Sequence, residues 1–535
     1  MSIDQSTTLY QALWNSADIM RSKMDATDYK NYLLGLVFYK YLSDRMIYHA
    51  ADLLEEEVHS LSEAQAVYEA AFQEADLKED LIKELNYDFS YVLEPELTFT
   101  ALVKEIQKGR FQLEDLAQGF RNIEQSSELF ENLFEDVDLY SKKLGSTPQK
   151  QNQTIAAVMK ELDSLDIAHE GDTLGDAYEY LIGQFASDSG KKAGEFYTPQ
   201  AVSTLMTRIV LQGKENQRGF SVYDAAMGSG SLLLNVKKYS NEPGTVNYFG
   251  QELNTSTYNL ARMNMILHGV DVANQHLNNG DTLDSDWPTE EPTNFDAVLM
   301  NPPYSAKWTA DKGFLDDPRF AMYGVLAPKS KADFAFLLHG YYHLKDTGVM
   351  AIVLPHGVLF RGAAEGKIRK ILLEMGAIDT VIGLPANIFF NTSIPTTVII
   401  LKKNRETKDV LFIDASQEFK KEKNQNILEE SHIDRIIETY NQREAIEKYA
   451  SVATFDEIVA NDYNLNIPRY VDTFEEEEPI SLSHVAKELT EVQTSIATDK
   501  TALTEMMSDL VAATPEAQEE LSDLLAYLKR GDSHD

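Results

Sequence analysis

Cysteine is absent from this sequence of 535 residues. Its absence excludes disulfide bonds and thiolate metal sites, and it is typical of proteins in the reducing cytoplasm. The N-terminus lacks the basic and apolar segments of a signal peptide, and no apolar run is long enough to cross a bilayer. We therefore expect a cytoplasmic protein without membrane contact, and we assign no metal ligands.

Basic residues are also few. The chain carries 48 Lys and Arg residues against 86 Asp and Glu residues, and its formal net charge is -38 at pH 7. A protein that binds a DNA duplex by itself needs a basic surface to displace counterions from the phosphates. Three possibilities remain: the substrate is not DNA, the basic surface is local, or another chain provides most of the DNA contacts.

The residues that are present predict a folded protein with several domains. Hydrophobic residues make up 43% of the chain and aromatic residues 10%, as in proteins with a large core. Helical periodicity dominates both ends, whereas strands and helices alternate from residue 220 onward. We therefore predict an α/β fold with a helical N-terminal domain at 1–150, an α/β domain at 151–470 and C-terminal helices at 471–535.

The alternation predicts a mostly parallel sheet with helices on both faces. Its strands are predicted at residues 220–223, 246–250, 275–278, 295–300, 349–354, 380–383 and 397–401. The intervening helices are predicted at residues 231–239, 255–268, 333–345 and 366–375. Residues 29–44 have the pattern of a core helix in the N-terminal domain.

Asn301, Pro302, Pro303 and Tyr304 directly follow the predicted strand at 295–300. Ligands of open α/β sheets bind at the carboxyl ends of the strands. The amide oxygen and a proline carbonyl can each accept an N–H from an amine, while the tyrosine ring can stack on a heterocycle. The tetrapeptide therefore suits an exocyclic amine on a flat ring, although a proline-stiffened loop that only caps a strand has the same sequence.

A glycine-containing loop, residues 224–231, follows another predicted strand and opens a helix. Its glycines allow a tight turn close to a ligand. Glu252 falls where dinucleotide-binding enzymes place a ribose-binding carboxylate, but Leu233 stands where their third glycine belongs. S-adenosyl-L-methionine has a ribose and an adenine but no phosphate, so it needs only the turn and the carboxylate. Asp281 follows the next strand, where it can accept a hydrogen bond from the adenine amine.

In their order along the chain, these motifs resemble those of DNA adenine-6 methyltransferases. The resemblance rests on Gly194 to Pro199, the loop at 224–231, Glu252, Asp281, Asn301 to Tyr304, and residues 389–396, which are similar to the late base-pocket loop of that family. Residues 29–44 and the layout of the whole chain are similar to modification subunits of type I restriction–modification systems. Ala225 departs from the proline common in the family, which removes rigidity but no ligand-bonding group.

The resemblance implies a seven-stranded, Rossmann-like methyltransferase domain that uses S-adenosyl-L-methionine. It also assigns the site residues. Those expected to bind the target base are Asn301, Pro302, Pro303 and Tyr304. Those expected to bind the cofactor are Glu195, Phe196, Tyr197, Thr198, Pro199, Gln200, Asp224, Gly228, Ser229, Gly230, Ser231, Glu252 and Asp281.

The implied reaction is methyl transfer to the 6-amino group of adenine in double-stranded DNA. The chain between Asp224 and Asn301 has no room for a target-recognition domain, so the family implies a separate specificity subunit, a second copy of this subunit and, in some assemblies, a restriction subunit. Some of the basic residues near the site are hypothesised to contact DNA phosphates: Lys307, Lys312, Arg319, Lys329, Lys331, Arg361, Lys367, Arg369 and Lys370.

Two other functions fit parts of the pattern. A methyltransferase for glutamine side chains also carries the Asn-Pro-Pro-Tyr sequence, because an amide amine poses the same chemical problem. A non-catalytic scaffold of a defence complex would retain the fold without the activity. The helical arms argue against the first alternative, and the intact motifs argue against the second.

Overall fold

The computed structural model describes residues 3–165, 167, 171–188, 197–288, 294–389, 393–422, 425–473 and 481–529. Its contacts divide the chain into two compact units, Met1–Thr473 and Phe474–Asp535. Among the described helices, none has the length and hydropathy needed to cross a bilayer.

The first unit begins with a helical region and continues into alternating helices and strands. Its α-helices are α1 (Ile3–Arg21), α2 (Ala26–Leu53), α3 (Leu61–Ala71), α4 (Ala75–Phe89), α5 (Phe99–Gln107), α6 (Leu113–Glu124), α7 (Pro148–Asp163), α8 (Gly171–Asp188), α9 (Gln200–Leu211), α10 (Ser231–Tyr239), α11 (Thr255–Leu267), α12 (Asp333–Tyr342), α13 (Ala363–Glu374), α14 (Glu430–Gln442) and α15 (Phe455–Ala460). The second unit contains α16 (Leu482–Ser508) and α17 (Pro515–Lys529).

The strands are β1 (Ser221–Asp224), β2 (Asn247–Glu252), β3 (Gln275–Asn279), β4 (Phe295–Met300), β5 (Leu344–Pro355), β6 (Ile378–Gly383), β7 (Thr396–Lys402), β8 (Val410–Asp414), β9 (Lys420–Lys421), β10 (Asn426–Ile427) and β11 (Ala450–Ala453). Nine of them form one sheet in the order β11-β8-β6-β7-β5-β4-β1-β2-β3, and β9 pairs with β10.

The prediction of a mostly parallel sheet covered by helices is confirmed. Each of the seven predicted strands has a counterpart in this sheet, and β8 and β11 extend it at one edge. β7 runs antiparallel between β5 and β6, and β11 runs antiparallel to β8. The sequence pattern missed β8 and β11 because both are short and lie in a region dominated by helical periodicity.

The predicted helix at residues 333–345 was too long. The structure ends α12 at Tyr342 and begins β5 at Leu344. Apolar residues occupy both elements, so periodicity alone did not mark the change from helix to strand.

The helix predicted at residues 29–44 is the middle of α2 and lies in the core, as expected. It is buried on nearly every side, so even Lys40 and Asp44 are enclosed, at 1% and 0% exposure. Their charges pair, with Nζ of Lys40 2.5 Å from Oδ2 of Asp44. The cluster of apolar side chains around α2 also contains Leu260, Met263 and Leu267 of α11. The N-terminal helices therefore share a core with a helix that flanks the sheet.

The centre of the sheet determines where the site lies. Val222 of β1 pairs in parallel with Tyr248 of β2 and with Ala297 of β4. Because parallel strands end at the same edge, the residues that follow these strands meet there.

The second unit has an exposed apolar stripe. Leu482, Val485, Leu489, Val492 and Ile496 of α16 are 82%, 37%, 53%, 56% and 59% exposed, respectively. Their spacing of three and four residues places them on one helical face. The C-terminal segment predicted to be helical contains two helices, and the second begins at Pro515.

Candidate active site at the carboxyl edge of the sheet

The glycine loop joins β1 to α10 and is fixed to β2. Gly228 and Gly230 have φ of 56° and 82°, in the left-handed region that glycine adopts without strain. The amide of Met227 donates to the carbonyl of Gln251 at 3.0 Å. Directly beside this bond, a Cβ added at Gly250 would lie 2.3 Å from the sulfur of Met227. The loop therefore packs closely on the neighbouring strand.

Glu252, the last residue of β2, contacts the glycine loop directly. Its Oε2 accepts the amide N–H of Gly228 at 3.1 Å, and its Oε1 accepts that of Asn254 at 2.8 Å. Burial raises the pKa of Glu252, while these backbone hydrogen bonds lower it. Each carboxylate oxygen has a further lone pair, so the side chain can accept hydroxyl groups from a ligand.

Asp224, the last residue of β1, is fully buried. Its Oδ1 accepts the amide N–H of Ala226 at 3.0 Å. Its Oδ2 is buried and has no hydrogen-bond partner among the described residues. Burial, together with the charge of Glu252, raises the pKa of Asp224 to about 8. A buried acceptor without a donor lowers the stability of the folded protein. A hydrogen bond from a ligand to this oxygen would therefore be favourable.

Asn301 lies directly after β4 and is 6% exposed. Its Nδ2 donates to Oγ1 of Thr198 at 3.1 Å. This contact fixes the orientation of the amide. Its Oδ1 is buried and, within the part of the chain that the structure describes, accepts no hydrogen bond. Asn301 therefore presents a fixed acceptor.

A small cavity is lined by both residues that carry an unpartnered acceptor, Asp224 and Asn301. Its lining residues are Tyr197, Thr198, Asp224, Ala226, Met227, Gly228, Ser229, Ser231, Leu232 and Asn301. Seven of these were predicted from the sequence: Tyr197, Thr198, Asp224, Gly228, Ser229, Ser231 and Asn301. Two acceptors without donors in one cavity favour a ligand, or a pair of ligands, that carries N–H groups.

Other predicted residues lie around this cavity without lining it. Gly230 caps α10, and Pro199 caps α9. Gln200 is exposed, and its Nε2 donates to Oδ1 of Asn235 at 2.8 Å. Asp281 is exposed after β3, and its Oδ1 accepts the amide N–H of Leu283 at 2.9 Å. Glu195 and Phe196 lie outside the described residues.

The rest of the tetrapeptide forms a stiff turn beside the cavity. Pro302 is buried and Pro303 is half-buried. The ring of Tyr304 meets that of Phe389 edge to face, with centroids 6.0 Å apart. Burial raises the pKa of Tyr304 well above its ordinary value, and the charge of Asp333 raises it further. Of the predicted late loop, residues 390–392 lie outside the described residues.

Sequence reasoning missed two polar residues beneath the glycine loop. Asn264 of α11 donates from Nδ2 to the carbonyl of Ser229 at 3.0 Å, and the same nitrogen lies 3.4 Å from Oε1 of Glu179. Burial raises the pKa of Glu179. Neither residue belongs to a motif with a spacing of its own, so only the packing of α8 and α11 shows their position.

The hypothesis that basic residues contact phosphates is wrong for Arg319 and Arg369. These side chains are 2% and 4% exposed. Nη1 of Arg369 donates to the carbonyls of Val358 and Arg361, at 2.9 Å each. The ammonium groups of Lys307, Lys312, Lys329, Lys367 and Lys370 are on exposed side chains.

Arg319 belongs to a buried network with His339. Its Nη1 donates to the carbonyl of Thr282 at 2.8 Å and lies 3.1 Å from Nδ1 of His339. Nε2 of His339 lies 2.8 Å from the hydroxyl of Tyr223. His339, His343 and Asp286 are close enough to share a metal ion. The guanidinium beside Nδ1 makes the cluster unsuited to a cation, and it serves as a structural network.

His356, which directly follows β5, has a structural contact. Its Nε2 lies 3.0 Å from the carbonyl oxygen of Thr396, so the ring donates to the backbone there. Burial lowers the pKa of His356. This supports the structural interpretation of this histidine over a role as a base.

Protein-family models match nearly the whole chain. A model described as N-6 DNA Methylase matches residues 169–479. A model described as the HsdM N-terminal domain matches residues 9–162. The boundary between the two matches falls between α7 and α8.

Curated and solved relatives align over most of their length. The MpnII methylase subunit of a type I restriction enzyme from Mycoplasma pneumoniae is 36% identical, over 92% of this chain and 95% of that protein. The MjaVII methylase subunit of a type I restriction enzyme from Methanocaldococcus jannaschii is 30% identical, over 89% of this chain and 80% of that protein. The crystal structure of a type I restriction-modification methyltransferase subunit from Streptococcus thermophilus is 73% identical with a TM-score of 0.86, over 88% of this chain and 100% of that one.

Replacement of Asp224 by Asn should change how the stability of the cofactor-free protein depends on pH. The pKa of about 8 in the folded state lies above the ordinary value of 3.8, so the folded state binds more protons than the unfolded state between these values. The stability of the wild type therefore falls as the pH rises through this window, and Asn has no such dependence. Thermal unfolding should show that the Tm of Asp224→Asn, relative to wild type, increases with pH. If the difference in Tm between Asp224→Asn and wild type did not change with pH, the raised pKa of Asp224 would be contradicted.

Proposed function

The chain belongs to the N-6 DNA methylase family as a methylase subunit of a type I restriction–modification system, and we propose that it transfers the methyl group of S-adenosyl-L-methionine to the 6-amino group of adenine in duplex DNA. One observation carries the proposal. Asp224 and Asn301 line the same cavity, and each has a buried acceptor, Oδ2 and Oδ1 respectively, without a donor among the described residues. The proposed cofactor and the target base each bring N–H donors.

The residues around the glycine loop fit S-adenosyl-L-methionine. Oδ2 of Asp224 suits the ammonium group of its methionine part, and the free lone pairs of Glu252 suit the ribose hydroxyls. Positive φ at Gly228 and Gly230 leaves the loop backbone open to a ligand. When bound, the cofactor supplies an electrophilic methyl group on a sulfonium. As the family resemblance implies, Asp281 is proposed to bind the adenine of the cofactor, and residues 197–200 are proposed to contact the cofactor as well.

Asn301 and Pro302 are proposed to activate the target amine. The lone pair of the adenine amine is delocalised into its ring, which makes the amine a poor nucleophile. Acceptance of its two N–H groups by Oδ1 of Asn301 and the carbonyl of Pro302 favours tetrahedral geometry at nitrogen and frees the lone pair. The contact between Asn301 and Thr198 holds the amide in place. Such fixed alignment of reacting groups can lower the barrier by on the order of 7–11 kcal/mol in the most favourable intramolecular reactions.

Tyr304 is proposed to stack on the base after the base leaves the duplex. Its edge-to-face contact with Phe389 fixes the ring plane. No general base is required in this scheme, because the amine loses its proton after the methyl group has been transferred.

Recognition of DNA is proposed to depend on other chains. The net charge of -38 opposes binding to a polyanion. We propose a complex with a specificity subunit, a second copy of this subunit and a restriction subunit in the cleaving form. Residues 471–535 are proposed as the docking segment, because the apolar stripe on α16 is exposed and needs a partner helix.

The direct test is transfer of labelled methyl from S-adenosyl-L-methionine to unmethylated host DNA, with and without the protein encoded next to this one. We expect 6-methyladenine only when that neighbour is present, because it supplies the DNA contacts. Incorporation by this chain alone would contradict the need for a separate reader. Incorporation into glutamine-containing peptides instead, or none at all, would favour the protein-methylating or the scaffold alternative.

Replacement of Asn301 by Ala should abolish methylation in the assembled complex and leave cofactor affinity largely intact. The variant loses the fixed acceptor for the amine, but it keeps Asp224 and Glu252. Single-turnover methylation and equilibrium binding of the cofactor measure the two effects. Asn274→Ala is the matched control, because Asn274 lies before β3, at the opposite end of that strand from the site. A large loss of cofactor affinity in Asn301→Ala would make Asn301 a cofactor or folding residue.

Charge reversal at Lys367 and Lys370 should weaken DNA binding by the assembled complex and make its salt dependence shallower. Both lysines line a groove of about 470 Å³ at the start of α13, together with Arg469. If each lysine meets one phosphate, the slope of log K against log[salt] should lose about 2 units. The control is Lys83→Glu with Lys142→Glu, which gives the same charge change at two exposed residues of the N-terminal region, one in α4 and one in a turn. Equal slopes in wild type and Lys367→Glu/Lys370→Glu would rule out these contacts.

A further inference from the structure

A buried aspartate holds the backbone directly after the Asn-Pro-Pro-Tyr turn. Asp333 is the first residue of α12 and is 0% exposed. Its Oδ1 accepts the amide N–H of Ser305 at 2.8 Å. Ser305 follows Tyr304 in the sequence, so this hydrogen bond reaches the residue adjacent to the proposed base-stacking ring.

Ser305 adopts a conformation that needs such support. Its φ is 52°, in the left-handed region, which is strained for a residue with a side chain. A second tie lies next to it, because the amide of Ala332 donates to the carbonyl of Ala306 at 2.9 Å. The exit of the turn is thus held by two consecutive residues, Ala332 and Asp333.

The other oxygen of Asp333 is held by an arginine from a third part of the chain. Nη2 of Arg361 lies 2.5 Å from Oδ2 of Asp333 and donates to Oε1 of Glu365 at 2.9 Å. The side chains of Arg361 and Glu365 are 20% and 4% exposed. Both carboxylates share this one guanidinium, so the orientation of Asp333 depends on the segment between β5 and α13.

We propose that Asp333 is a positioning residue for the target base. It touches no reacting atom in the proposed reaction, and it acts by holding Ser305 in the left-handed conformation. That conformation determines the direction in which Tyr304 and the carbonyls of the prolines point. The inference rests on the proposed function, since it deepens the role of the same turn.

A purely structural role for Asp333 makes a different prediction. An aspartate in the first turn of a helix stabilises the helix dipole, and its removal would then lower stability without a specific effect on the base. The two roles are separated by Asp333→Asn. Asparagine loses the charge and its amide nitrogen cannot accept from Arg361, but its Oδ1 can still accept the N–H of Ser305, and Arg361 keeps its pair with Glu365.

The test compares Asp333→Ala, Asp333→Asn and the exposed-site control Asp346→Ala in the assembled complex with the specificity subunit. We expect Asp333→Ala to lower kcat on the order of 10²-fold, as for a small misplacement of a reacting group, with unchanged cofactor affinity. Asp333→Asn should recover most of the lost kcat. Fluorescence of 2-aminopurine at the target position, measured without cofactor, should show reduced base capture in Asp333→Ala alone.

Thermal unfolding of each complex identifies loss of the fold. Wild-type kcat in Asp333→Ala, equal losses of kcat in the Ala and Asn variants, or a loss that follows stability or cofactor affinity would each overturn the inference. If the wild-type complex fails to methylate DNA, the proposed function fails first. The 2-aminopurine comparison still reports on Asp333, because it does not depend on methyl transfer.

Discussion

Parallel pairing at the centre of the sheet is the constraint on which the site depends. β1 pairs with both β2 and β4, so three strands deliver their last residues to one edge. Asp224, Glu252 and Asn301 are distant in sequence, yet each directly ends or follows one of these strands. A register shift in any of the three strands would separate the acceptors. The chemistry therefore depends on backbone hydrogen bonds that involve none of the functional side chains.

The site combines fixed geometry with unfulfilled hydrogen bonding. In Asp224 and Asn301, one polar side-chain atom forms a hydrogen bond within the protein. The other is an oxygen that has no donor among the described residues. Burial of such atoms opposes folding. The large apolar core that joins α2 to α11 offsets this cost from outside the site. A ligand that donates hydrogen bonds to these two oxygens would remove the free-energy cost of burying them unpaired. Part of the binding free energy would therefore come from acceptors that have no donor in the ligand-free protein.

Much of this architecture could be predicted from the sequence, because the relevant signals are local. Strand–turn–helix order, the glycine turn and the tetrapeptide after β4 each depend on residues close together in the chain. The positions of Asp333, Asn264 and Glu179 could not be predicted, since each acts on a residue that is remote in sequence. The same limit applies to charge. Arg319 and Lys367 look alike in the sequence, but burial makes one a structural residue and leaves the other exposed.

The burial of two arginines affects how often, on the proposed function, adenines outside the recognised sites would be methylated. Arg319 and Arg369 are buried, so two of the cations in an already acidic chain are withheld from the surface. On the proposed function, random encounters with DNA away from the recognised sites would be slow and brief because of electrostatic repulsion. A catalytic subunit with this distribution of charge would discriminate against unselected adenines before any base is read. Electrostatic repulsion between the acidic subunit and DNA would then provide a first level of selectivity, and recognition of the base sequence would provide a second.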